Sequence, residues 1–177
     1  MRRVAVAVVV IGSVVAASGQ ASADKGGHQP PQPDDLYLQV AADDGCAFAV
    51  TIEAVKGKTG PILFDDGRAI SPAPGLKLQL TNTAIPSKTI LLQATGSFHD
   101  QPAATDDDVI YTWDTLAVGQ NVLLGILTDG PVDRPILLYT VGRVTVTITV
   151  DTDAGIVYFS HLDTSAAKVV DVCPKLA

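Results

Sequence analysis

Two short stretches of the chain carry the residue types of a serine hydrolase, which needs a nucleophile, a base and an orienting acid held together. They are Ser97, His99 and Asp100 in the first, and Ser160, His161 and Asp163 in the second. Geometry, and not closeness in sequence, decides whether such residues react. The chain has no Gly-x-Ser-x-Gly turn to present a serine at the end of a strand. A hydrolytic site would therefore have to be assembled by folding.

Carboxylates offer two further kinds of chemistry. Asp106-Asp107-Asp108 and Asp151-Thr152-Asp153 supply the oxygen ligands that calcium prefers, but neither run has the spacing of an EF-hand loop. Short acidic loops in an acidic protein are usually solvated turns. A glycosidase would need two facing carboxyl groups. Glu53, the only glutamate, falls at a strand position where the pattern predicts contact with water, so no catalytic role is assigned to it.

Histidine is scarce. His28, His99 and His161 are the three in the chain, and none belongs to an H-x-H or H-E-x-x-H arrangement. A zinc or copper site would need two or three of them to converge by folding. We therefore expect structural or surface histidines, and predict neither a metal nor another cofactor.

Tyr111 and Trp113 lie two residues apart, which places both rings on the same face of a strand. Exposed, coplanar rings would form a platform for a carbohydrate. A lone tryptophan is more often found in the core of a β-sandwich, and the core is where we expect this one.

The amino terminus has the order of a secretory signal peptide. Met1-Arg2-Arg3 precedes an apolar run over residues 4–17, and Ala21-Ser22-Ala23 forms an A-x-A cleavage site. A membrane anchor is the alternative, but the run is shorter than the ~20 residues that a bilayer requires. We predict that residues 1–23 are removed and that the protein is secreted, without membrane insertion after cleavage.

Residues 24–35, DKGGHQPPQPDD, have no apolar periodicity and are predicted to form a flexible leader. The formal charge of the whole chain is −7. Cleavage at the predicted site makes it more negative, because it removes Arg2 and Arg3 and no acid. Such a surface repels nucleic acid and anionic lipid, so neither is expected as a partner.

The two cysteines, Cys46 and Cys173, lie near the two ends of the predicted domain. An even number of cysteines in an exported chain favours a disulfide. A free catalytic thiol is the alternative, which the oxidising compartment disfavours.

Apolar and polar residues alternate with period two from Leu36 onward. The clearest runs bury Phe48, Val50 and Ile52; Leu76, Leu78 and Leu80; and Val144, Val146, Ile148 and Val150. Each run predicts a strand with one buried face. Five more segments are apolar enough for strands with more burial on both faces. They are residues 88–95, 109–115, 121–127, 136–141 and 155–161.

Turn residues separate these strands. Asp66-Gly67 predicts a hairpin, and Asp129-Gly130-Pro131 and residues 151–155 predict further reversals. No segment after the signal peptide has a helical period. About eight or nine short strands at this spacing predict an all-β fold, an antiparallel sandwich of immunoglobulin-like or Greek-key type. We expect one domain over residues 36–177, closed by one disulfide.

Several short motifs follow one another in a familiar order: the signal peptide, GCAFAV at 45–50, LTNT at 80–83, ATGS at 94–97 and DVCPKLA at 171–177. In these the chain resembles a group of small exported actinobacterial proteins of unknown function with two terminal cysteines and a β-sandwich-like domain. The resemblance covers most of the mature chain. It implies export, the sandwich and a Cys46–Cys173 bridge, and it transfers no catalytic residue.

The expected function is a non-enzymatic binding or cell-surface interaction module, because no catalytic constellation is present and the strand faces are rich in threonine. Its partner would be a protein or a glycan. The alternatives are a secreted hydrolase whose site forms only in three dimensions and a calcium-stabilised module.

Overall fold

A computed structural model describes residues 36–101 and 109–177. The predicted signal peptide, the predicted leader and the run Asp106-Asp107-Asp108 lie outside the described residues. The described chain forms ten strands and one short helix. They are β1 (Tyr37–Val40), β2 (Val50–Lys56), β3 (Ile62–Leu63), β4 (Ala69–Pro72), β5 (Lys77–Asn82), β6 (Thr89–Gln93), β7 (Ser97–Asp100), β8 (Ile110–Leu127), β9 (Arg134–Asp151), β10 (Ile156–Asp171) and α1 (Cys173–Leu176).

The strands form two sheets, and the predicted all-β antiparallel sandwich is confirmed. One sheet has four strands in the order β1-β2-β5-β6, and the other has six in the order β10-β9-β8-β7-β4-β3. The number of strands exceeds the predicted eight or nine, in part because β3 is only two residues long, too short to leave a periodic pattern. Its hairpin with β4 encloses the predicted turn, where Gly67 has φ +84°.

The first core is aliphatic and lies against the four-stranded sheet. Val50 and Ile52 of β2 and Leu78 and Leu80 of β5 are fully buried, as their period-two pattern predicts. Strand β6 does not have the two-sided burial predicted for 88–95, because it is the edge of its sheet and Leu91 is 57% exposed. Alternation of apolar and polar residues therefore identified the buried face of β2 and β5 correctly. Apolar content alone overestimated the burial of β6.

The middle of the long β8–β9 pair forms a wall between two cores. Val122 of β8 and Leu137 of β9 belong to the first core, whereas the adjacent Leu123 and Ile136 belong to the second. Successive side chains of a strand point to opposite faces, so this part of the sheet is buried on both. More burial on both faces is what the high apolar content of residues 121–127 and 136–141 predicts.

The second core is enclosed by β8, β9 and β10, and β7 contributes Phe98 to it. Its buried members are Phe98, Trp113, Ala117, Leu123, Ile136, Val144, Val146, Ile148, Val157 and Phe159. Strand β10 pairs along β9 and also contacts the end of β8, with Tyr158 opposite Ile126 in a parallel pairing. The three strands thus coil until the first and last of them touch.

Glycines allow this coiling. Gly119 of β8 and Gly142 of β9 face each other in the ladder, with φ of +88° and +129°. Few residues other than glycine adopt such angles, and glycine inside a strand often marks a bend. A Cβ on Gly142 would lie 2.5 Å from the carbonyl oxygen of Ala166 on β10. The close approach of β10 to β9 at this point therefore requires glycine.

The carboxyl terminus closes the first core. Cys46 and Cys173 form a disulfide with a Cα–Cα distance of 5.4 Å, which confirms the predicted bridge. Val172 and Leu176, at either end of α1, are buried in the first core. The buried Asn82 side chain donates to the Leu176 carbonyl oxygen at 3.0 Å. Within the described residues no helix is long and apolar enough to cross a membrane.

Candidate functional site

The first Ser-His-Asp stretch does not form a triad. Ser97 Oγ and His99 Nε2 lie 2.9 Å apart on the outer face of β7. Asp100 is on the opposite face, because side chains alternate along a strand, and it is buried. Its carboxylate accepts a 2.7 Å hydrogen bond from Thr115 Oγ1. The structure therefore brings two members together and directs the third into the interior.

The second stretch is divided by an irregularity in β10. The pairing register with β9 shifts between Ser160 and Asp163, and His161 has φ +52°. Asp163 accepts a hydrogen bond from the Ser165 N–H. Among the described residues, no hydrogen bond joins the side chains of Ser160, His161 and Asp163. These residues shape the bend of the strand and do not form a nucleophile with its base.

The aromatic pair belongs to the interior. Trp113 is 6% exposed in the second core, and Tyr111 packs against that core. The carbohydrate platform that exposed rings would have provided is therefore not formed, and the expectation of a core tryptophan is correct. The indole N–H of Trp113 is buried with no hydrogen-bond partner among the described residues.

The acidic turn at 151–155 stabilises its own backbone. Asp151 Oδ1 accepts a 2.8 Å hydrogen bond from the Ala154 N–H, as a solvated turn requires. Within residues 36–101 and 109–177, no three His, Cys, Asp or Glu side chains are grouped as metal ligands.

A cleft on the outer face of the six-stranded sheet is the candidate site, and we call it the Asp114 cleft. Its volume is about 340 Å³. It is lined by Gln101, Asp114, Thr115, Leu116, Thr145, Val146, Thr147 and His161. The lining comes from four places: the residue after β7, the middle of β8, the middle of β9, and the irregular part of β10.

Strand register places the side chains of the cleft. Asp114 of β8 lies opposite Thr147 of β9, and Leu116 lies opposite Thr145. Residues directly opposite each other in an antiparallel pair share a face. The Gln101 N–H donates to the Asp114 carbonyl oxygen at 2.9 Å, which holds Gln101 beside β8. The result is a polar surface around the apolar side chain of Leu116.

One oxygen of the Asp114 carboxylate already accepts a hydrogen bond. Thr147 Oγ1 donates to its Oδ1 at 2.7 Å. No described residue hydrogen-bonds to the second oxygen, Oδ2, and the Asp114 side chain is exposed. This oxygen can therefore accept a hydrogen bond from a ligand hydroxyl or amide.

The position of His161 is set by Asp129. The two oxygens of the Asp129 carboxylate accept hydrogen bonds from the N–H groups of His161 and Leu162, both at 2.7 Å. These bonds, with Leu162 the larger cause and His161 the second, lower the pKa of Asp129 from its ordinary value. Asp129 thereby fixes the irregular part of β10 that brings His161 to the edge of the cleft.

The sequence indicated parts of this site without locating it. His161 was a candidate because of its residue type, and the alternation Thr145, Thr147, Thr149 predicted a wet strand face. Asp114 and Gln101 had no signal of their own, because their role depends on the pairing of β8 with β7 and β9. Comparison with protein-family models, with curated proteins and with solved structures gives no match.

The chemistry of the Asp114 cleft is hydrogen bonding. Its outward-facing side chains offer a carboxylate oxygen, two threonine hydroxyls, an amide and an imidazole, with one leucine side chain among them, whereas Thr115 and Val146 are buried. Carboxylates, amides and hydroxyls fix the orientation of a polar ligand, and an apolar residue contacts its carbon skeleton. The residues that line the cleft include no serine or cysteine nucleophile.

Proposed function

We propose that this protein is an exported, non-enzymatic binding module that takes a neutral, hydroxyl-rich ligand, one hexopyranose unit of a glycan, in the Asp114 cleft. The observation that carries the proposal is the convergence of Asp114, Thr147, Gln101 and His161 around Leu116. A volume of about 340 Å³ is at the lower end of the range for ligand pockets and suits one small unit.

Charge disfavours an anionic ligand. Asp114 presents a carboxylate oxygen to the cleft, and the chain as a whole has a formal charge of −7. An anion would therefore be repelled both at the site and during approach. A neutral polyhydroxy compound can donate to Asp114 and accept from threonine, glutamine or histidine.

Export is part of the same proposal. It is supported by the order of charged, apolar and small residues at the amino terminus and by a disulfide, which persists in oxidising compartments. If it is correct, protein recovered from culture medium begins at Asp24. An intact full-length chain retained in the cytoplasm would contradict export without bearing on the cleft.

The decisive experiment measures binding of methyl hexopyranosides by ligand-observed NMR and titration calorimetry. Thr147→Val removes the hydroxyl that bonds Asp114 at almost constant volume, and we expect at least a tenfold loss of affinity. The matched control is Thr81→Val, which removes the hydroxyl of an exposed Thr81–Thr89 pair at 3.0 Å in the other sheet. Equal affinities of the two variants, or no binding by the unmodified protein, would contradict the proposal.

A hydrolase is the second candidate, and the 2.9 Å contact of Ser97 Oγ with His99 Nε2 favours it. Within residues 36–101 and 109–177 no carboxylate is hydrogen-bonded to this pair, and Asp100 lies on the other face of the strand. A fluorophosphonate probe distinguishes the candidates, since it labels only an activated serine. We expect no labelling; labelling that disappears in Ser97→Ala and persists in Ser160→Ala would favour the hydrolase.

A further inference from the structure

We propose that two copies of this chain associate through β6, the outer strand of the four-stranded sheet, and pair antiparallel about a twofold axis at Leu91. The partner is a second copy of the chain, and the two four-stranded sheets become one continuous sheet. This inference goes beyond the proposed function and does not depend on the Asp114 cleft. It follows from the backbone groups, the sequence and the charge of this one strand.

Strand β6 has an open edge. In the part of the chain that the structure describes, β6 pairs only with β5. The Ala94 N–H donates to the Leu76 carbonyl oxygen at 2.9 Å, and the Asn82 N–H donates to the Lys88 carbonyl oxygen at 3.0 Å. Because hydrogen-bonded and non-hydrogen-bonded pairs alternate in an antiparallel ladder, the even-numbered residues of β6 direct their backbone groups to β5. The residues that direct theirs to the open edge are Thr89, Leu91 and Gln93.

These edge groups fit an extended strand. Unpaired N–H and C=O groups along a sheet edge are a template for the backbone of another chain. An evenly spaced row of donors and acceptors matches an extended backbone better than it matches a helix or a small molecule.

The sequence of β6 matches a second copy of itself. In an antiparallel pairing about Leu91, this residue lies opposite Leu91 of the second copy, and Thr89 lies opposite Gln93. These are the residues with outward backbone groups, so each such pair exchanges two hydrogen bonds. Ile90 lies opposite Leu92 on the other face. The pairing therefore places apolar side chains opposite apolar ones and polar side chains opposite polar ones.

The same pairing covers exposed apolar surface. Leu91 is 57% exposed on the outer face of the sheet. Ile90 and Leu92 are half-buried and pack against the first core from its rim. A second β6 strand adds apolar neighbours on both faces, and apolar cross-strand pairs stabilise a sheet. Association therefore removes apolar surface that the isolated chain leaves in water.

Strand β6 also lacks the features that prevent pairing. Natural edge strands are protected by charged side chains, by proline or by being very short. The five residues of β6 include no charged residue and no proline. Lys88, directly before the strand, would lie opposite Ala94 of the second copy, so the pairing places no like charges directly opposite each other.

Two of the other outer strands do carry such features. Strand β3 is two residues long and follows Pro61. The second half of β10 contains Asp163, Lys168 and Asp171. A long partner strand would therefore find too few backbone groups at β3 and several charges at β10.

Strand β1 is the nearest competitor, because it is uncharged as well. It has four residues, and acidic pairs flank it in the sequence, Asp34-Asp35 before it and Asp43-Asp44 after it. An antiparallel self-pairing places the beginning of one strand beside the end of the other, so acids would face acids. Like charges on facing strands are destabilising, and self-pairing at β6 is therefore favoured over self-pairing at β1.

The test measures sedimentation of the purified protein from micromolar to millimolar concentration, in buffer without sugar. A pairing of five residues is small beside a standard interface, so we expect a weak dimer that dissociates within this range. Leu91→Lys places two ammonium groups at the axis and should weaken association at least about tenfold. Leu63→Lys is the matched control, because it changes a leucine that is 75% exposed at the β3 edge and should leave association unchanged.

A second variant and a second measurement locate the contact. Leu91→Pro removes an edge N–H and spares the bonds to β5, and it should also weaken association. The Leu91 N–H should exchange more slowly as the protein concentration rises. The N–H groups of Tyr37 and Gln39, which lie on the open side of β1 by the same alternation, should not change. The fluorescence of Trp113 verifies that each variant is folded.

Each outcome decides the question. Sedimentation as a monomer at every concentration would overturn the proposal, and so would a dimer that both Leu91 variants leave as tight as the unmodified protein. Concentration-dependent protection of Tyr37 and Gln39 in place of Leu91 would assign the contact to β1 and overturn it equally. All of these results are obtained without a glycoside, so they leave the proposed function to its own test.

Discussion

The two cores of the molecule are closed in different ways. The first core, against the four-stranded sheet, is sealed by α1, by the Cys46–Cys173 disulfide and by the buried Asn82. The second core is enclosed by the coiling of β8, β9 and β10, and its rim at β10 depends on hydrogen bonds to Asp129. The candidate site lies on the outer surface of the region that is closed by strand pairing and not by the disulfide.

The disulfide and the candidate site therefore lie in different regions of the fold. The first core contains short strands, and short strand pairings alone contribute little stability. Their ends therefore need to be connected by other interactions. The second core uses strands of 16 to 18 residues, which bend at Gly119 and Gly142 and close on themselves. Such a region can carry an irregular segment, and the irregular segment of β10 supplies His161 to the cleft.

The largest expected effect is on the first core. Replacing both Cys46 and Cys173 by serine removes a bridge across 127 residues, and we expect a loss of about 2–5 kcal/mol in the free energy of unfolding. Urea unfolding, followed by circular dichroism, measures it. Reducing agent should have the same effect on the unmodified protein and none on the variant.

The same variant tests whether the cores are independent. Trp113 is the only tryptophan and lies in the second core, so its fluorescence reports that core alone. If the two cores unfold independently, the fluorescence transition of the double variant has its midpoint at a higher urea concentration than the circular dichroism transition. Coincident transitions would show that the two cores unfold as one cooperative unit.

The next effect is expected where the strands of the second core bend. Gly142→Ala places a methyl group 2.5 Å from the Ala166 carbonyl oxygen at φ +129°, and we expect destabilisation by roughly 1–3 kcal/mol. Gly130→Ala is the control, because its nearest contact would be 3.4 Å away. Both are measured as shifts of the urea midpoint of Trp113 fluorescence. Similar shifts would mean that Gly142 is not a required bend.

A smaller effect is expected at the first core when Asn82 is changed. Its side chain donates to Leu176 O and accepts from the N–H groups of Ala84 and Ile85. Asn82→Ala removes the donor to the buried Leu176 carbonyl oxygen and the acceptor of the Ala84 N–H, whereas the Ile85 N–H keeps its bond to the carbonyl oxygen of residue 82, so we expect a cost of about 1 kcal/mol. Amide exchange near α1 should accelerate while Trp113 fluorescence stays native. Gln93→Ala, which removes an exposed amide in the same sheet, should change neither.

The sequence predicts the first core better than the second. Alternation at Val50, Ile52, Leu78 and Leu80 is a local signal, and it identified the buried face of the first core. The second core could not be predicted in the same way. Its closure depends on contacts between β8 and β10 and on one glycine pair, and no short window of sequence contains both.

The candidate site was predictable only in its residue types. The Ser97–His99 contact follows from positions i and i+2 on a strand, and alternation explains equally well why Asp100 is excluded. The cleft, in contrast, joins Gln101 to Thr147 across two strand pairings whose register the sequence did not reveal. Long-range register is the physical information that local patterns lack.

The smallest effect is expected at the rim of the second core and depends on pH. Hydrogen bonds from Leu162 and His161 lower the pKa of Asp129 in the folded protein below its ordinary value of 3.8. A depressed pKa contributes stability that is present above the ordinary value and is lost as the pH falls through the folded value. Asp129→Asn, whose amide nitrogen cannot accept a hydrogen bond, should therefore show a shallower loss of stability on acidification.

NMR titration resolves this last prediction by residue. In the unmodified protein the amide signals of His161 and Leu162 should move together with a midpoint below pH 3.8, and in Asp129→Asn that transition should disappear. Asp66→Asn is the control: it removes a carboxylate whose pKa is also lowered, by Arg68, but at the β3–β4 turn. A midpoint at or above 3.8 would mean that Asp129 does not hold the strand. The closure of the second core would then depend on strand pairing alone, and His161 would need another cause for its place at the cleft.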